Sequence, residues 1–215
     1  MKSNGRSLSF SLACIGLALA SSQSSRADEK GPYATVDLGP ALTQDATLRA
    51  YPGTGGGGNV EFDPGIRLSA GGGYRFTDWF QAGGETGYIL NGIDGVDGIV
   101  SHVPFLANVE FRLPNKSPLV PFIGGGPGFA ISGISIDDDN IAGGTFVDGS
   151  ASDAVFAWQV FGGVRWKLND QMAIGAVYKY FEADSSSWDV DGTSTDIRFG
   201  KIRSHAFSAS FSMDF

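Results

Sequence analysis

The eleven residues that close the chain, His205-Ala206-Phe207-Ser208-Ala209-Ser210-Phe211-Ser212-Met213-Asp214-Phe215, alternate strictly in character. Phe207, Ala209, Phe211, Met213 and Phe215 share one parity; Ala206, Ser208, Ser210, Ser212 and Asp214 share the other. Successive side chains of a strand point to opposite faces, so this segment forms a ribbon with one apolar and one polar face. A bare aromatic strand at an open sheet edge templates aggregation. The conflict disappears if the strand closes a barrel and turns its apolar face to lipid, where backbone groups must be paired within the protein.

The opposite end supplies a route to a membrane. Lys2 and Arg6 form a positive region, Leu8 to Ala20 is apolar, and Ser25-Arg26-Ala27 places small residues at the positions that matter for cleavage. The pattern predicts a secretory signal peptide over residues 1–27, with the mature domain over 28–215. Ala18-Leu19-Ala20 is an alternative cleavage site with almost no polar segment before it. The apolar run falls short of the ~20 residues that a spanning helix needs. Cys14 is the one cysteine and lies inside this leader, so the mature chain is expected to hold neither a disulfide nor a thiolate nucleophile. No other segment is apolar for long enough to cross as a helix, and a crossing must therefore use a closed sheet.

Composition narrows the options. The 32 glycines are too scattered for collagen, and the alternation argues against disorder. Removal of Lys2, Arg6 and Arg26 with the leader takes the formal net charge from −8 to −11, which speaks against nucleic acid as a partner.

Eight strands are predicted: residues 33–38, 66–76, 79–90, 102–113, 119–129, 154–168, 171–181 and 202–215. Three connections are short and rich in turn formers: Thr77-Asp78, Pro114-Asn115-Lys116-Ser117 and Asn169-Asp170. The other four, residues 41–65, 91–101, 130–153 and 182–201, read as long loops. An even strand count with short turns at one rim and long loops at the other predicts an all-β, eight-stranded antiparallel transmembrane barrel with periplasmic turns and extracellular loops.

Parity then sorts the faces. Ile66, Leu68, Ala70, Tyr74 and Phe76 are expected toward lipid, as are Val103, Phe105, Ala107, Val109, Phe111 and Leu113, and Phe156, Trp158, Val160, Val164 and Trp166. Phe76, Phe80, Phe111, Trp166 and Phe215 suit one interfacial girdle; Tyr88, Phe129, Phe156 and Tyr180 suit the other. The opposite parity carries Asp37, Arg67, Arg75, Glu85, Glu110, Arg112, Arg165, Lys167 and Lys179 among many glycines. About eight strands leave an interior filled by side chains, and desolvated charges must pair. A packed polar plug is expected, with Glu85 and Glu110 bonded to some of Arg67, Arg165 and Lys179.

These segments resemble the small outer-membrane β-barrel proteins of the OmpA/OmpX and opacity-protein type. The resemblance rests on Tyr33-Ala34-Thr35-Val36-Asp37-Leu38-Gly39, Gly72-Gly73-Tyr74-Arg75-Phe76, Val103-Pro104-Phe105-Leu106-Ala107-Asn108, Pro121-Phe122-Ile123-Gly124-Gly125-Gly126, Ala157-Trp158-Gln159, Tyr178-Lys179-Tyr180 and the terminal Phe215. It implies residence in the outer membrane, among its lipid and lipopolysaccharide. It also implies assembly by the insertion machinery, which reads a terminal strand carrying Phe211, Met213 and Phe215. A structural, adhesin-like or surface-antigen role is what members suggest, since the fold itself fixes no activity.

Candidate sites are few, and no cofactor is expected. Some barrels of this size modify lipid A with a serine and a histidine, but His205-Ala206-Phe207 puts phenylalanine where the lipid A deacylases carry serine, and Ser204 and Ser208 lie on the parity opposite to His205. His102 is expected to point inward near the outer rim. Gly53-Thr54-Gly55-Gly56-Gly57-Gly58-Asn59 lacks the lysine and hydroxyl residue of a phosphate loop. Asp137-Asp138-Asp139-Asn140 and Asp184, Asp189, Asp191 and Asp196 make acidic loops without EF-hand spacing. The expectation is a monomeric surface-interaction barrel with an unknown extracellular ligand; a narrow channel or a lipid A-modifying enzyme are the alternatives. A lipocalin-type soluble barrel would reverse the parity. Deleting Phe215 should lower the yield of folded barrel in outer-membrane fractions, read as the mobility shift on boiling, and leave the chemistry of the loops intact.

Overall fold

The computed structural model describes residues 30–50, 58–94, 96–113, 115–141, 145–185, 187–188 and 197–215. The expected leader and Gly53–Gly57 lie outside them, as do Asp189, Asp191 and Asp196. The strands are β1 (Gly31–Thr43), β2 (Ala46–Ala50), β3 (Gly58–Val60), β4 (Gly65–Thr77), β5 (Phe80–Ile93), β6 (Val96–Arg112), β7 (Leu119–Ile141), β8 (Thr145–Lys167), β9 (Met172–Ala183), β10 (Ser187–Trp188), β11 (Ile197–Phe199) and β12 (Ile202–Asp214). Eight of them close a barrel in the order β1-β12-β9-β8-β7-β6-β5-β4, and the other four form a small sheet in the order β10-β11-β2-β3.

Closure is made by β1, which is antiparallel to both β12 and β4. Val36 lies opposite Phe211 on one side and Ala70 on the other. The terminal strand is therefore a seam strand, and Phe215 donates its backbone N–H to the Pro32 carbonyl at 3.0 Å. The short turns are built by the residues that suggested them. Asn169 Oδ1 accepts from the backbone N–H of Gln171 and Met172 at 2.9 and 2.7 Å. Asn115 accepts from Ser117 N–H at 2.7 Å and donates to the carbonyls of Leu113 and Leu119.

The burial pattern is inverted relative to a water-soluble protein. Leu38, Ile123 and Phe207 are 50, 65 and 56 % exposed, whereas Arg67 and Lys179 are 1 and 2 % exposed. Only a lipid solvent makes that arrangement favourable. At the periplasmic rim Phe76, Phe80 and Phe111 follow one another at ring separations of 5.8 and 5.5 Å, and Trp79 stacks on Phe111. At the other rim Phe105 stacks on Phe129 at 5.1 Å, and Trp158 meets Tyr180 at 5.4 Å. Trp166 and Phe156 mark the two girdles on β8. At ~3.4 Å per residue and a tilt of about 40°, the strand between them rises by roughly the ~25 Å of an apolar band.

The loops differ from expectation. Residues 130–153, read as a loop, are strand: β7 and β8 continue as a hairpin, paired from Leu119↔Trp166 up to Ile141↔Thr145. Asp137–Asn140 belong to β7. Likewise β5 and β6 extend into the expected 91–101 loop, and the first and fourth connections supply β2, β3, β10 and β11. In 130–135 the alternation of burial persists, with Ala130, Ser132 and Ile134 inside and Ile131 outside, but serine and glycine interrupt the apolar parity that would mark a strand in the sequence.

Glycine is required inside where rings cross the lumen. A Cβ on Gly124 would lie 2.5 Å from the Phe161 ring, and one on Gly163 would lie 2.9 Å from the Phe122 ring. These two phenylalanines face each other at 6.3 Å, each over the other strand's glycine. Gly124→Val should destabilise the barrel by about 1–3 kcal/mol through overpacking, measured as the midpoint of urea unfolding in lipid vesicles, whereas Ile123→Val on the lipid face should change it little.

Candidate functional site

The lumen is stratified. At its periplasmic end Arg75 makes a two-pronged bond to Asp214, at 2.9 and 2.6 Å, and donates to Gln81 at 3.2 Å. This pair ties β4 to the terminal strand across β1. Next above, Arg165 of β8 grips both oxygens of Glu110 on β6, the second contact being 3.0 Å. The Arg165 guanidinium also lies 3.9 Å over the Phe122 ring, so its flat face is packed while its edge is bonded.

Glu85 is the hub of the middle layer. Its Oε1 accepts from Lys179 Nζ at 2.7 Å and Arg67 Nη2 at 3.0 Å. Its Oε2 accepts from Gln159 at 3.1 Å and Asn108 at 3.3 Å. Lys179 also meets Asp37 at 2.7 Å, and Arg67 donates to Gln159 at 2.6 Å and to Ser69 at 3.1 Å. Two cations and two carboxylates from β1, β4, β5 and β9 are thereby neutralised, with β6 and β8 each contributing an amide. Between this layer and the Arg165–Glu110 pair remains a cavity of about 30 Å³ accessible to a water's centre, bordered by Tyr33, Asp37, Glu85, Glu110, Arg165 and Lys179. That is room for about two water molecules.

Above the charges the lumen becomes apolar, which departs from the uniformly polar plug expected from parity. Ala41, Ile89, Leu106, Ala130, Val155, Ala157, Phe181, Ala183 and Ala206 form one buried cluster. Arg67 lies under it, 5.7 Å from the centre of the Phe181 ring. Asn91 fastens its top: it accepts from Thr43 Oγ1 at 2.8 Å and donates to the carbonyls of Ala41 and Asp63 at 3.3 and 2.9 Å.

Asp37, Arg67, Glu85, Glu110, Arg112, Arg165 and Lys179 thus all lie in the lumen, and six of the seven are joined in ion pairs. Arg112 is buried outside those pairs. Phe211 and Phe215 lie exposed on the outer face, with Met213 beside them opposite Met172.

The two histidines part company. His205 faces outward in the upper girdle, its ring nitrogens 2.7 Å from Tyr178 Oη and 2.8 Å from Gln44 Nε2. His102 is 1 % exposed inside the lumen, with Nδ1 2.8 Å from Ser132 Oγ. The sequence does not single out Ser132, because it falls in a segment that reads as loop. A serine beside a histidine is the start of a nucleophilic site, but Ser132 is 0 % exposed, His102 Nε2 has no partner, and the ring packs on Phe181. A base needs a third group to orient it and a nucleophile needs access. Near the outer rim, Glu182 gathers Lys201, Arg203 and Tyr180 at 2.9–3.0 Å. In the connection before β12, this bonding raises the Lys201 ammonium pKa. Among the described residues no group of three or more His, Cys, Asp or Glu is placed to hold a metal.

A closed eight-stranded sheet, lipid-facing outside, girdled by aromatics and plugged inside by paired charges, defines a small transmembrane barrel of the Gram-negative outer membrane. The family model of the outer membrane protein beta-barrel domain matches residues 10–215, and the chain belongs to that family. Among solved structures, Neisserial surface protein A (NspA) is similar at 18 % identity and a TM-score of 0.57, covering 86 % of this chain and 97 % of its own. OprG from Pseudomonas aeruginosa is similar at 8 % identity and 0.54, covering 86 % and 97 %. AlkL, solved in lipid bilayers, is similar at 13 % identity and 0.53, covering 90 % and 95 %. These likenesses are of fold. No curated protein matches the chain in sequence.

The pairing sets a clear energetic ranking. Lys179→Met leaves Asp37 and Glu85 with one cation among two buried carboxylates and should cost about 3–5 kcal/mol. Arg203→Met, which removes a half-exposed partner of Glu182, should move the unfolding midpoint far less. Urea unfolding of both variants in the same vesicles checks the difference.

Proposed function

We propose that this barrel is a surface-interaction protein of the adhesin or surface-antigen kind, whose recognition elements are the strands carried above the outer girdle. The observation that carries this reading is the length of β7 and β8, 23 residues each, where ~9–11 suffice to cross a bilayer. β6 accompanies β7 only as far as Gly98↔Ile136 and β9 accompanies β8 only as far as Ala157↔Ala183, while the pairing of β7 with β8 continues beyond both. The small β10-β11-β2-β3 sheet adds a second raised element. Below them the lumen is filled, so the scaffold offers rigidity rather than a passage, and binding surfaces on rigid scaffolds commonly lie in their connecting segments.

The partners that follow are an extracellular ligand, the lipid and lipopolysaccharide around the girdles, and the insertion machinery engaging Phe211, Met213 and Phe215 during assembly. The folded barrel acts as a monomer, since its paired charges and its closed ring of strands are satisfied within one chain.

Replacing residues 136–149 by Asn-Gly would join Ser135 to Ser150, which are already opposite each other, through a two-residue hairpin turn. The shortened barrel should still shift mobility on boiling, while attachment of bacteria displaying it to host cells or matrix falls at least about tenfold relative to the full-length barrel. Undiminished attachment would sink the proposal, as would discrete conductance of the full-length protein in planar bilayers together with no attachment at all.

A further inference from the structure

Among the described residues the charges of the lumen come in neutral sets with one remainder. Arg67 and Lys179 are matched by Glu85 and Asp37, Arg165 by Glu110, and Arg75 by Asp214. Lys167, at the rim, is engaged in an interaction of its own. Arg112 stands outside these sets. It is 6 % exposed, and its Nε and Nη1 are buried with no hydrogen-bond partner. Its backbone is fixed at the last position of β6 by the bond from its N–H to the Trp79 carbonyl at 2.8 Å. Its charged neighbours are two further guanidiniums, those of Arg75 and Arg165, and the carboxylates of Asp214 and Glu110, each of which is already held by one of those arginines.

An arginine cannot shed its proton to escape burial. A desolvated guanidinium with idle donors is costly, and its neighbours leave a local excess of positive charge. The matching group is a planar or tetrahedral anion able to take two parallel N–H bonds. Arg112 lies at the periplasmic end of the lumen, where the partly exposed Asp214 marks an opening to water. Thr77, which ends β4 on the same rim, also carries a buried hydroxyl without a partner.

We propose that Arg112 is the centre of an oxyanion site in the periplasmic vestibule of the barrel, taking a phosphate group that completes the charge balance of the lumen. Free inorganic phosphate and the phosphate of an inner-leaflet phospholipid have the same chemistry at this position. The site is separate from the surface-interaction reading, which concerns the opposite rim.

The test uses the full-length barrel folded in maltoside micelles, with the urea midpoint followed at constant ionic strength set by sodium chloride. In one arm inorganic phosphate is titrated; in the other, phosphatidylglycerol is added without inorganic phosphate. At a phosphate concentration ~100 times its Kd, the folded-to-unfolded ratio should rise about 100-fold. In Arg112→Met the same addition should change the ratio less than about twofold, while Arg203→Met at the outer rim retains the full response. Stabilisation by inorganic phosphate identifies a free anion as ligand, and stabilisation by the lipid alone identifies a headgroup; either supports the site. No stabilisation of the wild-type barrel in either arm overturns it, as does an equal response in Arg112→Met. Should that variant fail to fold, Arg112→Lys keeps the charge without the fork and should need at least about tenfold more phosphate for the same midpoint; an unchanged requirement overturns the proposal.

Discussion

Hydrocarbon offers no hydrogen-bond partner to a peptide group, and this molecule is built around that fact. A strand at the edge of an open sheet would leave a row of N–H and C=O groups unpaired in lipid, each at a cost of several kcal/mol. β1 removes both edges at once by pairing with β12 and β4. Once the ring closes, the two faces of every strand are assigned to different solvents, lipid outside and packed protein inside. Leu38 and Asp37, adjacent in sequence, then meet opposite environments, and the exposure of one and burial of the other have the same cause.

Closure with eight strands also fixes how the inside must be filled. The lumen is wide enough for side chains and little else. In the lower half it holds long charged chains, and these fit because glycines lie opposite them and opposite the rings of Phe122 and Phe161. Buried charges are tolerable when they are paired and hydrogen-bonded, and Glu85 takes four donors from four strands. In the upper half the same space is filled by Ile89, Leu106, Phe181 and a set of alanines, with Asn91 fastening the top. The two halves meet at Arg67, whose guanidinium is bonded from below and covered by Phe181 from above.

The sequence announces the parts of this design that lipid constrains. In Ile66–Phe76 of β4, Val103–Phe111 of β6 and Ala154–Trp166 of β8 every second residue is apolar or glycine because it faces hydrocarbon, and the charges of Arg67, Glu110 and Arg165 fall on the remaining parity by necessity. The turns are equally legible, since Asn115 and Asn169 use their own side chains to make them. Ala130–Asp153 is illegible as strand because serine and glycine interrupt its alternation: Gly133 and Ser135 follow Ile131 on the outward parity, and Ser132 lies between Ala130 and Ile134 on the inward one. The apolar upper lumen is hidden for a related reason: Ala157, Ala183 and Ala206 are too small to distinguish a packed interior from a merely permissive position. Parity likewise places Glu85 and Lys179 inside without saying that they meet, because their contact spans non-neighbouring strands and depends on register.

Register is where the two faces of the barrel reinforce each other. Most of the lumen ion pairs skip the neighbouring strand: Arg75 of β4 to Asp214 of β12, Arg165 of β8 to Glu110 of β6, Lys179 of β9 to Asp37 of β1 and Glu85 of β5. Slipping any one of these strands by a single residue would separate its ion pair. The same slip would turn its charged side chain toward lipid, which for an Arg or Lys near the bilayer midplane costs about 2–4 kcal/mol. The penalties arise in different solvents and select the same alignment. The register of the barrel is therefore specified twice, once by what lipid rejects and once by what the lumen pairs.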